Sequence, residues 1–133
     1  MRGSRRSFLK GAGMIVLLAV GACVTEAHAK ITRSEPKDGA KLQASPKTIE
    51  LWFNELLDEE FNTIEVFSSK DLTEKTRKNL ATGKPLVDPK DRTHLTLKVP
   101  PLAPGSYVVE YRVLSRDGHT APGRFTFTVQ PKS

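Results

Sequence analysis

Thiols are almost missing from this chain. Cys23 is the single cysteine in 133 residues and lies in an apolar stretch near the N-terminus, so the region beyond it has neither a disulfide nor a thiolate metal site. Long hydrophobic runs are missing as well: the apolar stretch over residues 11–22 is too short for a membrane anchor. No segment of helical length repeats its apolar residues every 3.6 positions, and there are no internal repeats or low-complexity tracts, which excludes a helical or repeat architecture. A basic stripe is missing too, despite a formal charge of +6. Arg2, Arg5, Arg6 and Lys10 sit with Glu26 in the N-terminal segment, and beyond it 17 basic and 14 acidic residues leave a net charge of about +3. Nucleic acid is therefore a poor fit as a partner. With 38% hydrophobic residues and nine each of Gly and Pro, what remains is one globular domain with a core of its own.

The N-terminus has the charged and then apolar regions of a secretory signal. Ser4-Arg5-Arg6-Ser7-Phe8-Leu9-Lys10 resembles the twin-arginine export signal at every defined position, which implies export of an already folded chain. A general secretory leader with paired arginines is the plainer alternative, and both lead beyond the inner membrane. Three cleavage positions compete: after Ala29 in Ala27-His28-Ala29, after Ala27 in Thr25-Glu26-Ala27, and before Cys23, where Val20-Gly21-Ala22-Cys23 loosely resembles a lipoprotein box.

Beyond the leader the pattern is β throughout. Ile49, Leu51 and Phe53 alternate with Glu50 and Trp52; Leu95, Leu97 and Val99 with Thr96 and Lys98; Tyr107, Val109, Tyr111 and Val113 with Glu110 and Arg112; Phe125, Phe127 and Val129 with Arg124, Thr126 and Thr128. Weaker runs at residues 30–33, 62–68 and 84–87 bring the count to about seven, with turn chemistry at Pro36-Lys37-Asp38-Gly39, Ser45-Pro46-Lys47 and Pro104-Gly105. This predicts an all-β protein, an immunoglobulin-like antiparallel β-sandwich of about seven strands. Leu56-Leu57-Asp58-Glu59-Glu60-Phe61 is long enough for one helical turn, and the charged residues 69–92 read as a long solvated connection or a poorly ordered edge hairpin. Tyr107, Tyr111, Phe125 and Phe127 read as core. Trp52, on the opposite strand face, is a candidate fluorescence reporter.

The residues that carry chemistry are in Ser115-Arg116-Asp117-Gly118-His119, a polar loop between two strand-like runs. A carboxylate and an imidazole two residues apart, with glycine between them, can turn to one side of a loop. The same triplet also describes a solvated Asp-Gly turn followed by a histidine, so it points to a metal only if further ligands exist. Of the three histidines, His94 starts a strand in phase with Thr96 and Lys98, on the solvent face, and reads as a surface residue. His28 is different. A cut after Ala27 makes it the first residue of the mature protein, where an α-amine and an imidazole close a chelate ring. With Asp117 and His119 it completes a set of three nitrogens and one oxygen, which Cu(II) prefers and which zinc accepts tetrahedrally.

In this order the motifs resemble the copper-resistance CopC family of periplasmic copper-binding proteins. The resemblance covers the whole region beyond the leader: His28-Ala29-Lys30, Ser34-Glu35-Pro36-Lys37-Asp38-Gly39 with Pro46 further on, Ile49-Glu50-Leu51-Trp52-Phe53-Asn54-Glu55, Pro101-Leu102-Ala103-Pro104-Gly105-Ser106-Tyr107, Tyr111-Arg112-Val113-Leu114-Ser115-Arg116-Asp117-Gly118-His119 and Gly123-Arg124-Phe125-Thr126-Phe127. It implies one Cu(II) per chain, held by His28 through amine and imidazole, by Asp117 and by His119. It also implies a signal peptide over residues 1–27 and a copper-binding sandwich over 28–133. The family's F-S-E glutamate, an axial or outer group, corresponds to Glu55 in Phe53-Asn54-Glu55, where asparagine replaces the serine. Some members hold Cu(I) on a methionine-rich loop; here Met1 and Met14 are the only methionines and both lie in the leader, so that second site is not expected.

The expected function is a non-enzymatic periplasmic carrier or buffer of copper in resistance or uptake, passing the ion to a CopD-type inner-membrane transport protein or to another periplasmic protein. Two alternatives stand beside it. One is a copper monooxygenase-like enzyme with a histidine-brace site, against which Asp117 takes a position that oxygen activation leaves open. The other is a metal-free sandwich that binds another protein.

Overall fold

The computed structural model describes residues 29–73, 75 and 77–132, with the isolated positions 3, 15 and 21. The leader reading, and His28 with it, lies outside the described residues. Strict alternation produces the central strands: β3 (Thr48–Phe53) and β6 (His94–Lys98) carry Ile49, Leu51, Leu95 and Leu97 inward, all almost fully buried. Facing them, β7 (Gly105–Leu114) and β8 (Thr120–Val129) bury Tyr107, Val109, Val113, Phe125, Phe127 and Val129. The rings of Tyr107 and Phe127 stack at 5.5 Å, and Tyr111, half-buried, meets Phe53 edge-on at 5.6 Å. Each such side chain contributes about 1.5–3 kcal/mol by leaving water.

The remaining strands are β1 (Ile31–Glu35), β2 (Ala40–Leu42), β4 (Thr63–Ser68) and β5 (Leu86–Val87). They complete two four-stranded sheets, ordered β1-β3-β6-β5 and β2-β8-β7-β4, packed face to face as a sandwich. The described residues thus hold eight strands where the sequence pattern gives about seven. The extra one, β2, also breaks the all-antiparallel expectation: it pairs parallel with β8, Ala40 opposite Phe127 and Leu42 opposite Val129. Its cause is the preceding turn. Gly39 adopts φ 77° and donates its N–H to the Thr126 carbonyl at 2.7 Å, while the Asp38 carboxylate takes the Thr126 N–H at 3.1 Å, which lays the next three residues along β8.

One further expectation is corrected. Residues 56–61 form no helical turn, because Leu57 is buried in a bridge to Ser115 and the Asp58 side chain accepts the Glu60 N–H at 2.9 Å, closing a local turn instead. The charged connection after β4 buries none of its described residues up to Leu86, as a solvated connection would, yet it is held against the sheet. It makes a 3-10 turn at Ser69–Thr73, places the Arg77 guanidinium 5.7 Å from the Phe67 ring centroid, and binds β4 through Leu80 N–H to Val66 O at 2.7 Å. Phe67 and Val108, which project from the outer face of their sheet, are both buried, Phe67 beside the Arg77 guanidinium.

Candidate metal centre

The loop between β7 and β8 is built on Ser115, the one buried polar residue of the described core, 1% exposed. Its N–H and hydroxyl both reach the His119 carbonyl, at 2.9 and 3.1 Å, and the hydroxyl also donates to Asp117 Oδ1. Gly118 closes the turn, donating its N–H to the Ser115 carbonyl at 2.9 Å with φ 91°, a value that favours glycine. Asp117 Oδ1 further accepts the His119 N–H at 3.2 Å and lies 3.1 Å from His119 Nδ1. The Ser115 hydroxyl, and after it His119, hold the Asp117 carboxyl below its usual range, so the group is an anion across neutral and mildly acidic pH. Both side chains are about half exposed. A nitrogen and an oxygen 3.1 Å apart have the separation of two neighbouring ligands on one ion with bonds of about 2 Å.

A strap of residues 54–58 runs beside this loop and is fixed at both ends. At one end Asn54 Oδ1 accepts the Lys30 N–H at 2.7 Å while the Asn54 N–H donates to the Lys30 carbonyl at 3.0 Å. At the other, Arg116 N–H donates to the Leu56 carbonyl at 3.0 Å and Asp58 N–H to the Leu114 carbonyl at 2.8 Å. From Asn54 to Leu56 the chain spans at most about 7 Å. Ala29 is buried against the core, so the start of the described domain is tied down beside the Asp-Gly-His loop.

The sequence-derived ligands are distributed as follows. Asp117 and His119 are brought together. Glu55, half-buried in the strap, does not join them, and no group of three or more His, Cys, Asp or Glu that could hold a metal ion occurs among the described residues. His28 lies outside the described residues, two positions before Lys30. Asn54 and Ser115 are the residues whose roles only the fold reveals. A serine two residues before the aspartate and an asparagine at the strand end were the available signals, but neither reveals its bonding partner without the fold.

The solvent-exposed reading of His94 is wrong. Its strand phase is outward, yet its side chain is only 13% exposed. The ring stacks on Trp52 at 4.3 Å with an interplanar angle of 4°, and its nitrogens lie 3.2 Å from Glu50 Oε1 and 3.4 Å from Asp88 Oδ2. Arg33 lies 4.2 Å from the centroid of the same Trp52 ring. The outer sheet face is thus covered locally by its own side chains and by the Asp88 loop. The Lys90 backbone N–H, and to a smaller extent His94, hold the Asp88 carboxyl below its usual range against an opposing effect of desolvation.

Fold and site together describe a small β-sandwich with a carboxylate–imidazole pair at one end. The CopC domain model matches residues 31–130, and the chain belongs to the CopC family. It is 32% identical over 107 residues to Protein YobA of Escherichia coli (strain K12), covering 78% of this chain and 80% of that protein. To copper resistance protein C of Pseudomonas syringae pv. tomato it is 32% identical over 137 residues, covering 96% and 98%. The crystal structure of CopC from Methylosinus trichosporium OB3b superposes with a TM-score of 0.71 at 32% identity, covering 80% of this chain and 97% of that one. The sandwich expectation holds, and a copper-related function follows from the family.

Proposed function

We propose that the protein is an exported, non-enzymatic copper carrier or buffer. It holds one Cu(II) through the α-amine and imidazole of His28, the carboxylate of Asp117 and the imidazole of His119, with Glu55 as an axial or outer group. The observation that carries this reading is the shared strap: Asn54 fixes Lys30 and Leu56 fixes Arg116, so a chain beginning at His28 starts within reach of the Asp-Gly-His loop. Hard and borderline nitrogen and oxygen donors favour Cu(II), and no thioether beyond the leader competes for Cu(I). Cleavage after Ala27 supplies the amine, and the twin-arginine motif carries the folded domain to the periplasm. A CopD-type inner-membrane protein is the recipient we favour.

Equilibrium dialysis of the protein beginning at His28, with electron paramagnetic resonance of the loaded form, tests the proposal. The expected result is one Cu(II) per chain in a tetragonal nitrogen and oxygen environment, with weak Cu(I) binding. Tight Cu(I) binding, or no Cu(II) retention, overturns it.

A further inference from the structure

Phe61 and Leu86 are the two most exposed large apolar side chains of the described domain, at 76% and 72%. They line the same cleft, of about 570 Å³, which runs between residues 59–65 and 83–86. The exposure of Phe61 is built in. Its backbone has φ 64°, a left-handed value rare for a bulky residue. The flanking residues fix it there: Asn62 donates its side-chain N–H to the Asp58 carbonyl at 2.7 Å and accepts the Leu114 N–H at 2.8 Å. A strained position braced so that an aromatic ring stays in water is a mark of a contact surface.

The cleft also coincides with open sheet edges, since β5 ends one sheet and β4 the other. Val66 points its backbone away from β7, its N–H to Asn79 Oδ1 at 3.0 Å and its carbonyl to Leu80 N–H at 2.7 Å. Antiparallel alternation sends the N–H and carbonyl of Ile64 to that same edge, where the cover by Asn79 and Leu80 has ended and the described residues provide no backbone partner. Ile64 lines the cleft. Of the three glutamates lining it, Glu59 is paired with Arg92 at 3.0 Å, while Glu60 and Glu65 have no ion-pair partner among the described residues. Lys84 is the opposing charge.

We propose that this cleft receives an extended segment of the protein that takes copper from this one. The segment adds as a strand at Ile64, sets an apolar side chain between Phe61 and Leu86, and places flanking lysines or arginines at Glu60 and Glu65. The assignment of the partner rests on the carrier reading above. The loop bearing Phe61 is stitched to the Asp-Gly-His loop by the Arg116–Leu56 and Asp58–Leu114 hydrogen bonds, so a bound segment lies at the same end of the sandwich as Asp117 and His119.

The probe is a short capped peptide alternating valine and lysine, with a counterpart in which glutamate replaces lysine. Each is titrated into the copper-free protein beginning at His28 and followed by backbone amide NMR. The expected result is shifts at Ile64, Glu65 and Leu86 with the lysine peptide. Binding weakens about tenfold or more for the glutamate peptide and for the Phe61→Ser, Leu86→Ser double variant. A Glu60→Lys, Glu65→Lys variant should prefer the glutamate peptide. Equal shifts from both peptides, shifts confined to other surfaces, or self-association of the peptide-free protein that the double variant abolishes would overturn the proposal, the last by making a second copy the occupant. Cu(II) affinity, measured separately, should be the same in the double variant and the parent. Absence of peptide binding in a parent that still binds Cu(II) refutes the cleft, and absence of Cu(II) binding in the parent refutes the carrier reading.

Discussion

Asn54 and Lys30 are joined by a reciprocal pair of hydrogen bonds, the Asn54 side-chain oxygen taking the Lys30 N–H at 2.7 Å and the Asn54 N–H reaching the Lys30 carbonyl at 3.0 Å. The pair converts a strand-end residue into a clamp on the chain two residues after His28. Asn54→Ala keeps the backbone bond but leaves the Lys30 N–H without its partner. It should cost about 0.5–1.5 kcal/mol of stability by chemical denaturation. Cu(II) affinity, measured by competition, should drop about threefold to tenfold, because the N-terminal donors become less ordered. Asn54→Asp, which keeps an acceptor, should lose less. Unchanged affinity in Asn54→Ala would separate the clamp from the metal centre.

Ser115 acts on Asp117 in the same indirect way. Its hydroxyl is the largest cause of the lowered Asp117 pKa, so Ser115→Ala should raise that pKa towards the ordinary carboxylate value, readable by NMR titration. A carboxyl whose pKa is depressed by folding contributes stability above its unfolded pKa and loses it as pH falls through the folded value. The stability difference between parent and variant should therefore be larger at neutral pH than in strong acid, where only the lost hydroxyl bond to the His119 carbonyl remains. Because Asp117 stays ionised in the parent, copper release on acidification should follow protonation of the imidazoles and the amine. Release that tracked carboxylate titration instead would contradict this assignment.

His94 and His119 give the contrast between a packing histidine and a proposed ligand. His119→Ala should remove most of the Cu(II) affinity. His94→Ala should leave it nearly unchanged while altering Trp52 fluorescence, because the two rings stack at 4.3 Å, and should cost about 0.5–1.5 kcal/mol of stability from that contact. Equal losses of affinity in the two variants would place His94 in copper binding.

The strands legible in the sequence were those with clean alternation: β3, β6, β7 and β8 coincide with the runs around Leu51, Leu97, Val109 and Phe127. The short β2 was not, since three residues carry no period and its pairing depends on Asp38 and Gly39 reaching Thr126. The covered state of His94 was equally hidden. Its phase could be read from its own strand, but its neighbours Trp52, Glu50 and Asp88 come from another strand and a loop. At the site, the Asp117–His119 pair was visible as a local motif, whereas the Asn54 clamp joins residues 24 positions apart and becomes visible only in the folded chain.

In the proposed centre, copper is held by a chelate that exists only after cleavage before His28. In the precursor the His28 nitrogen is an amide; after cleavage it is an amine with a pKa of about 8, which copper displaces readily. Mass spectrometry of the exported protein defines its first residue, and competition titration then compares protein beginning at His28 with the same protein carrying one additional N-terminal residue. The expected result is a natural N-terminus at His28 and Cu(II) affinity orders of magnitude weaker in the extended form. Equal affinity in the two forms, or a natural N-terminus at Lys30 or at an acylated Cys23, would contradict it.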